Sequence, residues 1–121
     1  MIGRTKDFAI RVLKLIQALP DNRSGRIVAN QLGRAATSVA ANYRAVCRAK
    51  SSADMVAKVT IVEEEADESA FWLELVSDVG LIPAEQVADL LNESRQLTAI
   101  MVASRKTLLR NNRNSKIEIR K

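Results

Sequence analysis

Histidine is absent from this 121-residue chain, aromatic residues make up 3% of it, and Cys47 is its one cysteine. Without histidine there is no Glu-x-x-His motif for a di-iron bundle, no Ser-His-Asp triad and no usual His-containing zinc set. A lone cysteine closes no intrachain disulfide, and with no evident activating base Cys47 reads as a small core residue. No Gly-rich phosphate loop occurs either. The expectation is a protein that is not an enzyme and carries no cofactor or metal. No apolar run approaches the ~20 residues that cross a bilayer, and Lys14 interrupts the run from Ile10 to Ile16, so no signal peptide is expected. A soluble protein of the reducing cytoplasm, with no membrane partner, follows as an expectation.

Glycine and proline are also scarce, at four and two residues. With 47% hydrophobic residues and a composition rich in Ala, Leu, Val, Glu, Arg and Lys, the chain reads as one all-α domain with little material for a sheet. Thr5 is a plausible N-cap for a first helix, in which Phe8, Val12, Leu15, Ile16 and Leu19 recur at helical spacing before Pro20. Turn formers from Pro20 to Gly25 precede a second helix marked by Val28, Leu32, Ala35, Ala36, Val39 and Val46. Its alanines and Gly33 thin it for close packing on two sides.

Ser51 and Asp54 have the spacing of a capping box, so a third helix begins near Ala53. Met55, Val59, Val62, Ala66, Ser69, Leu73 and Val76 then form one stripe, and Ile61, Trp72, Leu75 and Val79 lie beside it. One neighbouring helix cannot cover both, so self-association is expected, as a closed cyclic assembly. Gly80 supplies the stop and Pro83 the first turn of a fourth helix, striped by Val87, Leu90, Leu91, Leu97, Met101 and Leu108. Short links make the four helices an antiparallel up-down-up-down bundle over residues 1–109, with 110–121 as a basic, disordered C-terminal tail.

Charge is segregated. Residues 1–50 carry ten Lys/Arg against Asp7 and Asp21, residues 51–100 carry Lys58 and Arg95 against eleven acids, and residues 101–121 carry seven Lys/Arg against Glu118, for a formal total of +5. Arg34, set among small apolar residues, is expected to pair with Glu65 or Glu68 across a helix interface as a structural ion pair. The basic surplus at Arg44, Arg48, Lys50, Arg105, Lys106, Arg110 and Arg113 is the candidate nucleic-acid surface. Tyr43, between the basic residues, is either packed or a platform for a base. Trp72 and Phe71 read as core or subunit contact.

The segment Gln31-Leu32-Gly33-Arg34-Ala35-Ala36-Thr37-Ser38-Val39-Ala40-Ala41-Asn42 resembles the second-helix signature of the bacterial four-helix bundle family of large-subunit (23S) rRNA intervening-sequence proteins. Glu64-Glu65-Ala66-Asp67-Glu68-Ser69, Phe71-Trp72-Leu73-Glu74-Leu75 and Val102-Ala103-Ser104-Arg105-Lys106-Thr107 are similar to its later motifs. The resemblance runs from about Phe8 to Asn112. It departs at Tyr43-Arg44, where many members carry an acid and a glycine, so no family role transfers to those two residues. The resemblance implies a homopentameric bundle without established biochemical activity. A similar protein serves diversity-generating retroelements as a basic pentameric barrel that binds reverse transcriptase and nucleic acid. The partners this implies are further copies of the chain, RNA or DNA, and a reverse transcriptase or other protein. Two functions follow: a nucleic-acid-binding accessory protein, or a protein-interaction scaffold with no nucleic-acid role.

Overall fold

Four helices account for almost all of the chain in the computed structural model, which describes the backbone of residues 1–120 and the side chains of residues 1–114. They are α1 (Ile2–Ile16), α2 (Arg23–Val46), α3 (Ser52–Val79) and α4 (Ala84–Arg120). Each break has a local cause. Past α1 the chain turns through Pro20, and the Asn22 side chain opens α2 by accepting from the Gly25 N–H at 2.8 Å. Gly25 is required there by space: a Cβ at this position would lie 1.9 Å from the Pro20 carbonyl oxygen.

Ser51 caps α3, its hydroxyl accepting from the Asp54 N–H at 3.0 Å. The Asp54 carboxylate returns to the Lys50 N–H at 3.0 Å, one residue before the cap, so the capping box closes on its neighbour. Lys50 and Lys58 hold the Asp54 carboxyl below its ordinary range, chiefly through the Lys58 hydrogen bond. α3 ends at Gly80, whose φ of 80° is left-handed backbone. The Leu81 N–H then reaches back to the Val76 carbonyl at 3.0 Å and closes the end of the helix.

α1 packs on α2 and α4, and α3 packs on α2 and α4, leaving α1 and α3 across a diagonal. The core at their centre is formed by Phe8 and Val12 of α1, Leu32 and Val39 of α2, Val62 and Leu73 of α3, and Leu97 and Met101 of α4, all at most 1% exposed. The periodic stripes face inward because only that face can leave water, at about 25 cal/mol per Å² of apolar area. Partners on α3 and α4 run in opposite order: Glu63 meets Arg105, and Glu74 meets Arg95.

Three expectations change. Thr5 does not cap α1, which starts at Ile2; it is fully buried within the helix, its hydroxyl donating to the Met1 and Ile2 carbonyls at 3.2 and 3.1 Å. A threonine hydroxyl is satisfied as well by the preceding turn as by a cap. Cys47 is exposed, not core, because it follows Val46 at the C-cap of α2 where the helix leaves the bundle. Regular structure also continues past Leu109, as α4 runs to Arg120. Residues 110–120 contain neither glycine nor proline, so nothing in them terminates a helix once it is nucleated. Lys121 and the side chains from Ser115 onward, part of the expected tail, lie outside the described residues.

Candidate nucleic-acid interface

The carboxylates of α3 are largely answered from within the chain. Arg34 donates from Nη1 to Glu65 at 3.0 Å and from Nη2 to Glu68, bridging α2 to α3. Gln31 and Trp72 tie the same group down: Arg34 Nε donates to Gln31 Oε1 at 3.4 Å, and Trp72 Nε1 donates to Glu68 Oε2 at 3.2 Å. The hydrogen bond that Arg34 donates to Glu68 raises the Arg34 pKa further, opposed by partial desolvation. The structure therefore places Arg34, Glu65 and Glu68 in one cluster between helices, with the Arg34 side chain 48% and the Glu65 side chain 19% exposed.

α4 answers the remaining acids of that side. Arg105 donates from Nε to Glu63 at 2.8 Å, which raises its pKa, and Arg95 donates to Glu74 at 2.8 Å. Arg105 is thus engaged inside the fold, unlike the other residues of the candidate nucleic-acid surface. Sequence reasoning also missed the pair joining α1 to α4, Arg4 to Glu93 at 2.7 Å, because the facing of two helices so distant in sequence depends on both intervening links.

Apart from the exposed Lys14 and Arg23, the basic residues left over fall into two groups. Arg44 and Arg48, exposed at the end of α2, line one surface concavity of about 340 Å³ together with Lys58. A second, of about 410 Å³, joins Arg44 and Arg48 to Ile2, Lys6 and Cys47. Lys6 belongs to this cluster although sequence reading left it out; its position one turn from Ile2, on the exposed side of α1, was the available signal. Lys50 lies exposed just beyond, in the link to α3. On α4, Lys106, Arg110 and Arg113 are exposed and spaced four and three apart, so they share one helix face. Among the described residues Lys6, Arg44, Arg48, Lys50, Lys106, Arg110 and Arg113 make no ion pair.

Tyr43 does not stand among these cations as a stacking platform. It is half-buried and lines an apolar groove of about 510 Å³ with Val46, Met55, Val59, Met101 and Leu108. Burial pushes its phenol pKa up. The exposed aromatic is Phe71, on the acidic helix, its ring 5.0 Å from that of half-buried Trp72 in an edge-to-face contact. The arrangement can neutralise phosphates by charge, with no aromatic beside the cations to read or stack bases. Among the described residues no helix is long and apolar enough to cross a membrane, and no group of three or more His, Cys, Asp or Glu is placed to hold a metal ion.

Residues 1–103 match the family model of the 23S rRNA-intervening sequence protein. Among solved structures, the chain is similar to a protein with unknown function from the S23 ribosomal protein family of Bacteroides thetaiotaomicron VPI-5482. The two share 30% sequence identity and superpose with a TM-score of 0.81, over 87% of this chain and 97% of the other. No curated protein matches. The Arg34 cluster and the Arg44 group lie within the family match; Lys106, Arg110 and Arg113 lie beyond it.

Proposed function

Because the chain belongs to the 23S rRNA-intervening sequence protein family, we propose that it is a non-enzymatic accessory protein of the cytoplasm. In this reading the chain is an up-down-up-down bundle that self-associates and holds nucleic acid by its basic surface. The observation that carries this reading is the sorting of its charges. The acids facing α2 and α4 are taken up by Arg34, Arg95 and Arg105, while Lys6, Arg44 and Arg48 remain together at one end of the α1/α2 face. Phosphates are met by exposed guanidinium forks and ammonium groups, which position a strand without reading its sequence. Self-association repeats the cluster in every subunit, so contacts that are weak singly act together.

The test is the double substitution Arg44→Gln and Arg48→Gln. It is expected to weaken binding about equally across RNA and DNA sequences and to lower the slope of log affinity against log salt by about 2. Unchanged affinity and slope in a folded variant would sink the proposal. A second reading, a protein-interaction scaffold whose partner is a reverse transcriptase or another protein, is favoured by the exposed Phe71 and Val79 on α3, at 53% and 59%. It predicts no nucleic-acid binding even at low salt.

A further inference from the structure

α1 is too short to cover the helices it packs against. It has 15 residues where α4 has 37, and among the described residues none of its side chains lines the apolar groove of about 510 Å³ between α2, α3 and α4. The groove therefore opens through the wall of the bundle onto its core. Val46, Val59 and Met101, at 7%, 3% and 1% exposure, form the floor. From Ile100 to Leu108 the groove follows α4 for about 12 Å, at about 1.5 Å per residue. Met55 of α3 adds a second thioether, a flexible and polarizable group that moulds to what it touches.

Its polar groups are few and of one kind. No lining residue is charged; the polar side chains are Tyr43 of α2 and Ser104 and Thr107 of α4, so hydroxyls stand on both walls. Elsewhere in the helices Thr37, Thr60, Ser69, Ser94 and Thr98 donate their hydroxyls to the preceding turn. Among the described residues the Tyr43, Ser104 and Thr107 hydroxyls make no such bond within the chain and face the groove unpaired.

We propose that the groove binds an uncharged aliphatic amphiphile, an acyl or alkyl chain of medium length that ends in a hydroxyl, ester or amide group. The chain lies along the floor of Val46, Val59 and Met101, and its polar end meets the Tyr43, Ser104 and Thr107 hydroxyls, which both donate and accept. A volume of about 510 Å³, apolar walls and a few hydrogen-bonding groups are the proportions of a small-molecule site. The same lining selects against charge, because a carboxylate or ammonium placed there would leave water without a counter-charge. It also selects against a docked helix, whose backbone groups are already bonded to one another and would cover the hydroxyls without pairing them. Lys6, Arg44 and Arg48 line other concavities and stay open to solvent when the groove is filled, so the site and the nucleic-acid surface are independent.

The experiment uses the full chain labelled at its methionine methyl carbons, which gives three resonances for its three methionines. The protein is titrated with 1-monodecanoylglycerol below its micelle concentration. The Met55 and Met101 resonances are expected to shift together and saturate, while that of Met1, outside the groove, stays in place. Ala103→Trp, at an exposed lining position, fills the groove and is expected to abolish both shifts; Thr107→Trp repeats the plug should that variant fold poorly. Ser104→Ala with Thr107→Val should weaken binding roughly tenfold at wild-type helicity. Sodium decanoate, the same chain with a carboxylate end, should bind at least about tenfold more weakly than the glyceride. No shift at Met55 or Met101, equal shifts at all three methionines, or wild-type binding by the plugged variants would overturn the site. Decanoate that binds as tightly as the glyceride and is released by salt would place the ligand on surface cations instead and overturn it too. These readouts involve no nucleic acid, so their failure and that of the nucleic-acid reading are told apart.

Discussion

Glu93 receives the Arg4 guanidinium through Nε at 2.8 Å and Nη2 at 2.7 Å. The hydrogen bond from Arg4 holds its carboxyl below the ordinary value of 4.5, against burial, which pushes the other way. A depressed folded-state value means that the unfolded chain binds the proton more readily. The pair's contribution is therefore complete above pH 4.5 and is lost as pH falls through the lower folded value. Glu93→Gln should cost about 1 kcal/mol near neutral pH and flatten the acid limb of the stability profile. Urea melts across the acid range check this, and a variant with the wild-type acid limb would show that Glu93 is not a source of it. Gly25 has a different sensitivity. A methyl group there meets the Pro20 carbonyl oxygen at 1.9 Å, so Gly25→Ala must open the α1/α2 link, with an expected loss of about 1–3 kcal/mol. A melting temperature equal to that of the wild type would contradict the tight turn.

At the scale of the helices, Leu73 sits where the α3 stripe meets the core, at 0% exposure. Leu73→Ala should cost about 2–5 kcal/mol, measured by chemical denaturation, with a loss under about 1 kcal/mol arguing that the site collapses or lies at an edge. The stripe containing Leu73 was legible in the sequence because burial imposes a period, and Ser51, Gly80 and Pro83 were legible because caps require particular chemistry. Arg34 with Glu65 and Glu68 was legible too, since a short link fixes how α2 meets α3. Other features had no such signature. Thr5 satisfies its hydroxyl inside a helix as readily as at its start, and Cys47 differs from a core position only by standing one residue past Val46. The engagement of Arg105 by Glu63 depends on the α3 to α4 register, which periodicity leaves open. α4 also separates two sets of cations. Lys106→Gln, Arg110→Gln and Arg113→Gln together should reduce the salt slope of nucleic-acid binding by about 3 if their shared face lies on phosphates. No change in slope would assign the interface to the α2 end alone.

Over the whole molecule, four of the eight carboxylates of α3 are met by arginines of α2 and α4, and the chain keeps a formal charge of +5. A net charge of that size attracts polyanions weakly from one subunit; under the proposed self-association, repetition would strengthen it. An acidic helix is compatible with a basic protein because part of its carboxylate set joins helices, while Glu64, Asp67 and Asp78 stay exposed on α3. The most direct measurement is a salt titration of the intact full-length protein against a panel of RNA and DNA, single-stranded and duplex, from about 50 to about 200 mM salt. The account predicts affinity that falls linearly on logarithmic axes, with slopes nearly the same for every sequence in the panel. An absence of binding at the lowest salt, or affinity that does not respond to salt, would contradict it.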